Sequence, residues 1–313
     1  MEFYFEIFLG KKSFVLRHNM RHPSLVTGNT EYIHSSLLRD SSSIASSHPP
    51  QAYSWLGARI RVRIEFEPIT PSLQHSIECV MKLNDKVALI TGGGRGIGKA
   101  IAMAYAREGA KLAFCARTGS ELEQTVAEIR GLKAEAEGWT CDVSLEEPVK
   151  EFVRKVQNRF GRIDVLVNNA GVMTRPVPIS ELEVKKWDYT IAVNLRGPFL
   201  VTQAVLPIMM KQKSGSVINV SSMVGRGAYA NFIAYATSKW GLEGFTQTLA
   251  AEARSSNIRV NSVEPGYVAT KLTGYGGSKP ESVTDVFVYL ASDEAKGTTG
   301  KMLSSSSWKS QIK

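Results

Sequence analysis

Tyr235 and Lys239 stand four residues apart in the stretch Ala234-Tyr235-Ala236-Thr237-Ser238-Lys239-Trp240. On a helix that spacing puts both side chains on one face. An ammonium beside a phenol favours the phenolate and draws its pKa down from about 10 toward working pH. A phenol tuned in this way can donate and accept a proton. Ser222 precedes the tyrosine by thirteen positions, and its hydroxyl can donate to a carbonyl oxygen as negative charge develops there. Well upstream is Thr91-Gly92-Gly93-Gly94-Arg95-Gly96-Ile97-Gly98, a glycine-rich turn of the kind that receives a dinucleotide. Together these residues point to hydride transfer coupled to proton transfer at a carbonyl or alcohol carbon. A tyrosine and a lysine four apart also recur by chance on amphipathic helices, so the argument needs the whole set.

Residues so far apart in sequence meet only through a scaffold, and from Lys82 onward strand and helix patterns alternate. Val87-Ala88-Leu89-Ile90 is a short apolar run ended by glycine, the mark of a buried strand. A helix follows over 97–108, with Ile101, Ala102 and Tyr105 on one face. Next come a strand at 111–116 and a helix at 120–132, where Ser120 and Glu123 form a capping box. A strand at 137–143 and a helix at 145–160 precede the fourth strand, Val165-Leu166-Val167. The pattern predicts a long helix over 187–211, bent at Gly197-Pro198. A strand at 216–220, helix at 235–256, strand at 258–263, helix at 281–291 and a weak strand at 301–303 complete the series. Such alternation implies one doubly wound α/β domain over residues 82–313, a parallel sheet covered on both faces as in the Rossmann fold. No fixed-period repeat is present.

The glycine-rich run sits where a strand gives way to a helix, the context in which backbone N–H groups and the helix N-terminus can meet phosphate. A tight connection with nothing bound would use the same glycines. The end of the second strand discriminates between the nicotinamide cofactors, because a carboxylate there binds the ribose 2′-hydroxyl. This chain has Cys115-Ala116-Arg117 instead. Arg117 can pair with a 2′-phosphate, and Arg95 can approach the same group, so the residues favour NADP(H) over NAD(H). The plain alternative for Arg117 is a solvated loop charge.

Taken in order, these motifs resemble the classical short-chain dehydrogenase/reductase family, and most closely its oxoacyl-carrier-protein reductase-like and sugar or steroid dehydrogenase-like members. The resemblance runs from about Leu83 to Leu303. It is carried by the run at 91–98, Cys141-Asp142-Val143, Asn168-Asn169-Ala170-Gly171, Asn194, Ser221-Ser222, Tyr235 with Lys239, and Pro265-Gly266-Tyr267-Val268-Ala269-Thr270. It implies a catalytic set of Asn194, Ser222, Tyr235 and Lys239, with Asn194 in a helix kink holding a water of a proton relay. It implies cofactor contacts from Thr91, Gly92, Arg95, Gly96, Ile97, Gly98, Arg117, Asp142, Val143, Asn169, Ala170, Gly171, Tyr235, Lys239, Pro265, Gly266, Val268 and Thr270. Asp142 would meet the adenine, Lys239 the nicotinamide ribose, and Pro265 to Thr270 would close over the nicotinamide. Each has a bland reading beside it: a helix cap for Asp142, an ordinary turn for Asn168 to Gly171, backbone bonding within a helix for Asn194, loop chemistry for Ser222. The resemblance also implies a homotetramer packed through the helices 187–211 and 235–256.

The chain departs from the family in three places. Only Lys271 to Lys279 separates the closing motif from the next helix. That is a short lid, which opens the site to a large or carrier-bound carbonyl or alcohol, or weakens catalysis. Ser304-Ser305-Ser306-Ser307-Trp308 replaces an acidic, glycine-rich ending and puts the last strand in doubt. Glu264 stands unusually before Pro265. A dinucleotide-binding protein with little turnover, acting as redox sensor or scaffold, is therefore the competing function. A sugar-nucleotide epimerase fits less well, because only about fifty residues follow Val263.

Composition narrows the classes. The 313 residues are 43% hydrophobic and 21% charged, and the net charge of +9 is scattered along the chain. That pattern suits attraction of an anionic cofactor and excludes a nucleic-acid footprint. No run approaches the roughly 20 apolar residues of a membrane span. Three cysteines, Cys79, Cys115 and Cys141, lack metal spacing, so no metal site and a reducing, cytoplasmic setting are expected. Residues 1–81 are rich in serine and basic side chains and show no clear core. They read as an organelle transit peptide, a disordered extension, or sequence upstream of a natural start at Met81, with the last two favoured.

Overall fold

The computed structural model describes residues 81–312 and, before them, four strands: β1 (Glu2–Leu9), β2 (Lys12–Asn19), β3 (Ser54–Trp55) and β4 (Ala58–Arg59). The chain divides into two compact units, Met1–Glu78 and Cys79–Lys313. In the first, β1 and β2 pair antiparallel from Glu2 opposite Asn19 to Leu9 opposite Lys12, and β3 pairs with β4. Aromatic and branched residues on either side of Gly10-Lys11 are a hairpin signal that the sequence analysis passed over. The remainder of the expected low-order extension lies outside the described residues.

The second unit is built on seven parallel strands in the order β11-β10-β9-β8-β5-β6-β7. They are β5 (Val87–Thr91), β6 (Lys111–Ala116), β7 (Ala136–Thr140), β8 (Val165–Asn168), β9 (Gly215–Val220), β10 (Ile258–Glu264) and β11 (Met302–Ser304). All of β5, β8 and β9 is buried, as parallel strands covered on both faces must be. Side chains alternate between two cores. Ile90, Ile101, Tyr105, Phe114 and Phe287 fill one face; Leu89, Leu166, Val201, Val205 and Met209 fill the other. The expected doubly wound α/β fold is present.

The covering helices are α1 (Gly96–Arg107), α2 (Gly119–Gly131), α3 (Glu146–Phe160), α4 (Val184–Ile191), α5 (Gly197–Gln212), α6 (Ile233–Ala253), α7 (Asp285–Ala291) and α8 (Trp308–Gln311). The boundaries differ from the sequence reading in instructive ways. Helix α2 begins at Gly119 with Thr118 as N-cap and no side-chain cap bond, so the Ser120–Glu123 capping box does not form: both residues already lie inside the helix. The third strand ends at Thr140, because Asp142 turns the chain by accepting bonds from the Ser144 N–H and hydroxyl at 2.9 and 2.7 Å. The long helix expected over 187–211 starts earlier and is two helices joined by a π turn, Ala192–Arg196. Continuous over Val184–Gln212, this helical stretch is long and apolar enough to cross a membrane by composition, but α5 packs against α3 and the sheet. The doubted last strand exists: β11 pairs with β10 from Ser262 opposite Met302 to Glu264 opposite Ser304. Trp308 of α8 closes over that edge, stacked on Tyr289 with ring centroids 4.7 Å apart.

Candidate active site

Strand β5 has β6 on one side and β8 on the other, so the chain winds away from it in both directions. In open α/β sheets such a reversal leaves a crevice at the carboxyl ends of the strands. Here it is a cleft of about 380 Å³ whose walls come from the ends of β5, β6, β8, β9 and β10.

The floor begins with the glycine-rich turn. Gly92 has φ +69°, a left-handed conformation that favours glycine. Gly98 is closed to any side chain, since a Cβ there would lie 2.3 Å from the Gly92 carbonyl oxygen. That contact lets α1 seat directly on the turn. The N-cap of α1, Arg95, makes no side-chain cap bond, so the first-turn amides remain available to an anion. Thr91 fixes the turn from beneath: its hydroxyl oxygen accepts from the Asn169 and Ala170 N–H groups at 3.0 Å each. The Asn169 amide donates to the Thr91 and Gly92 carbonyls at 2.9 and 3.1 Å.

Gly92, Arg95, Gly96, Ile97, Arg117, Asp142, Val143, Asn169, Ala170, Gly171, Ser222, Tyr235, Lys239, Pro265, Gly266, Val268 and Thr270 all border the cleft. Thr91, Gly98 and Asn194 do not; they stand behind its wall. Residues that the sequence reading did not select also border it, notably Glu121, Cys141, Ser221 and Lys271 to Thr273. Cys141 and Lys271 adjoin chosen motifs and were within reach of that reading, whereas Glu121 comes from the first turn of α2.

The two arginines are held differently. Arg95 forms an ion pair with Glu121 at 2.7 Å, which directs it along the cleft edge. Arg117 donates to the Tyr189 hydroxyl and lies over that ring, 5.7 Å from its centroid. It is exposed, and no carboxylate adjoins it on β6.

Tyr235 and Lys239 occupy successive turns of α6, with the ammonium 5.7 Å from the centre of the phenol ring. The Lys239 Nζ donates to the Val220 carbonyl at 2.7 Å, leaving two further N–H donors. Ser222 caps a short 3-10 turn by accepting from the Val224 N–H at 3.4 Å, and its hydroxyl borders the cleft beside Tyr235. One expectation is overturned. Burial pushes the Tyr235 phenol up, opposed only by its interaction with the Ser222 side chain. The Lys239 ammonium, held on the Val220 carbonyl beside the ring, does not outweigh that burial. Burial lowers Lys239 to about 8, with Glu243 working against that.

Asn194 lies in the π turn and is 1% exposed. Its side chain accepts from the Val172 N–H, donates to the Val172 carbonyl, both at 2.8 Å, and donates to the Ser238 hydroxyl at 3.1 Å. Both amide hydrogens are therefore committed, and a relay water could bond only to a lone pair of Oδ1. The asparagine ties the loop after β8 to the helix that carries Tyr235 and Lys239. Among the described residues no cluster of His, Cys, Asp or Glu could hold a metal.

Comparison with known proteins agrees with this geometry. Residues 86–280 match the family described as short chain dehydrogenase. A 3-oxoacyl-(acyl-carrier-protein) reductase of Thermotoga maritima is 41% identical over 240 residues, covering 71% of this chain and 97% of that protein. A D-threitol dehydrogenase of Mycolicibacterium smegmatis is 35% identical over 249 residues, covering 74% of this chain and 95% of its own length. Among solved structures, levodione reductase superposes with a TM-score of 0.69 at 32% identity, covering 71% of this chain and 96% of that one.

Proposed function

The chain belongs to the short-chain dehydrogenase family and is a nicotinamide-dinucleotide-dependent oxidoreductase; from that premise we propose that it interconverts a ketone and a secondary alcohol with NADP(H), using Tyr235 as proton donor and acceptor. The observation that carries this reading is the convergence of Ser222, Tyr235 and Lys239 with the glycine-rich turn on one cleft. The cleft suits a dinucleotide on its own terms: uncapped α1 amides for phosphate, glycines that admit no Cβ, and a cation at the far end.

The bound cofactor would supply hydride in reduction and take it up in oxidation. The chain's own residues do the rest. The Ser222 hydroxyl would bond the carbonyl oxygen and fix its direction. Tyr235 would hand its proton to that oxygen as charge builds there. A phenol raised by burial is protonated at neutral pH, which is the form that a reductase needs. Lys239 would hold the ribose through its two remaining N–H donors. Asn194 would keep α6 in register with the loop at Val172.

NADP(H) is preferred because β6 ends in an exposed arginine with no acidic neighbour on the strand. Arg117 borders the cleft with its guanidinium held by Tyr189, and a planar guanidinium there would pair with a 2′-phosphate. The substrate is a small or carrier-bound carbonyl compound; the short segment after Thr270 leaves room for either. A homotetramer is supported by the apolar Phe199, Met210 and Trp240 exposed on α5 and α6. Free, buried Cys115 and Cys141 suit a reducing cytoplasm.

The test follows absorbance at 340 nm with NADPH or NADH against ketones, acyl thioesters and sugars. Tyr235→Phe is expected to lose about 10²–10⁴-fold in turnover, the usual contribution of general acid catalysis, with NADPH binding unchanged. Retained turnover removes Tyr235 from the chemistry. Cofactor binding without oxidation across the panel would favour a sensor or scaffold instead.

A further inference from the structure

Glu243 lies one helical turn beyond Lys239 on α6 and is only 6% exposed. Its Oε2 accepts the Ser262 hydroxyl of β10 at 2.7 Å, while Oε1 is buried with no hydrogen-bond partner. A carboxylate withdrawn this far from water is tolerated beside a cation and costly without one. Lys239 is the cation within reach, one turn away on the same helix face and 5% exposed. It is equally short of partners, with the Val220 carbonyl as its one hydrogen bond. Each group has what the other lacks.

We propose that Glu243 is a positioning residue, a buried counter-charge that keeps Lys239 an ammonium, with Ser262 holding the carboxylate in place. The inference rests on the oxidoreductase reading of Lys239 and assigns its charge a source. Glu243 does not border the cleft, so it acts through the lysine and touches neither cofactor nor substrate.

The other charged groups around α6 do not take this part. Arg259 of β10 points away, donating to the Leu290 and Ser292 carbonyls. Lys186 of α4 is paired with Glu183, and Arg196 of the π turn reaches the Ser144 carbonyl. The remaining charged groups on these elements are Glu264 of β10, Lys185 and Asp188 of α4, Arg226 after Ser222, Lys211 of α5, and Glu252 and Arg254 at the far end of α6. Of all these groups, Glu243 alone acts on the Lys239 ionisation, and it acts to favour the charged form. Without it, burial would govern unopposed. The lysine would become an amine at lower pH, losing one N–H donor and its charge toward the ribose.

The experiment reads the ionisation directly and needs no turnover. The full chain is labelled with 13C-lysine and the Lys239 Cε resonance, assigned by its loss in Lys239→Met, is titrated with pH. The parent midpoint is expected near 8, and in Glu243→Gln at least one pH unit lower, a tenfold larger acid constant. Glu243→Asp should restore most of the shift, which a merely structural role would not require. Ser262→Ala, which removes the carboxylate's one hydrogen bond, should move the midpoint in the same direction and serves if Glu243→Gln does not fold. An unchanged midpoint in a folded Glu243→Gln, or in Ser262→Ala where the first variant fails, overturns the proposal. An enzyme inactive on every substrate but with the expected titration shift would instead count against the functional reading and leave the charge pairing standing.

Discussion

Burial holds Lys239 near a pKa of about 8 while it raises the Tyr235 phenol, so the two groups lose protons in a set order. Below that value the lysine is charged and the phenol protonated, the pairing that reduction requires. Above it, the lysine is neutral while the phenol still holds its proton. The kcat/KM for ketone reduction is therefore expected to fall as pH rises through about 8, approaching tenfold per pH unit; a flat profile to pH 9.5 would refute it. Lysine and tyrosine were legible as a pair because helical spacing is a local property. The direction of the phenol shift was not, since it depends on how deeply α6 is packed and on where Val220 places a carbonyl. Glu121 and Glu243 escaped for a related reason: Glu121 matters through Arg95, 26 positions away, and Glu243, though one turn from Lys239, is fixed and buried against Ser262, 19 positions away.

At the level of elements, the π turn at 192–196 does the joining. One extra residue in that turn rotates Asn194 inward, where it bonds Val172 and Ser238 together. Asn194→Ala removes the side-chain partner of the half-buried Val172 N–H and carbonyl and of the buried Ser238 hydroxyl. At about 0.5–1.5 kcal/mol net for each of the three hydrogen bonds lost, a loss of about 2–4 kcal/mol is expected. For a domain of this size that corresponds to a Tm lower by about 5–12 °C, and calorimetry checks it. An unchanged Tm would mean that water replaces the side chain without cost. The sequence pattern places the bend at Gly197-Pro198, and only the family resemblance puts Asn194 in a kink. Helical periodicity carries no mark of a single inserted residue. The capping box at Ser120 failed similarly, because the N-cap of α2 stands two residues earlier, at Thr118.

Across the second unit, both cores are, among the described residues, assembled from residues between Leu83 and Ile312, and the seven-stranded sheet starts at Val87. A chain beginning at Met81 is thus expected to melt within about 2 °C of the full chain and to keep its kcat/KM. A larger drop in Tm would show that the first unit stabilises the second. The sheet itself was readable from the alternation of apolar runs with helical periods, strand by strand. The order of strands was not, because it rests on contacts between distant segments; the crevice between β6 and β8 ends follows from that order.

The segment after Thr270 is tied to itself. Val268 bridges Ser278, the Ala269 N–H reaches the Ser278 carbonyl at 2.8 Å, and the Thr273 hydroxyl donates to the Val268 carbonyl at 2.6 Å. A rim knotted in this fashion has little slack to swing over an incoming molecule. Discrimination between substrates then falls to immobile walls rather than to a hinged cover, and exchange with bulk solvent proceeds without waiting for a door to move.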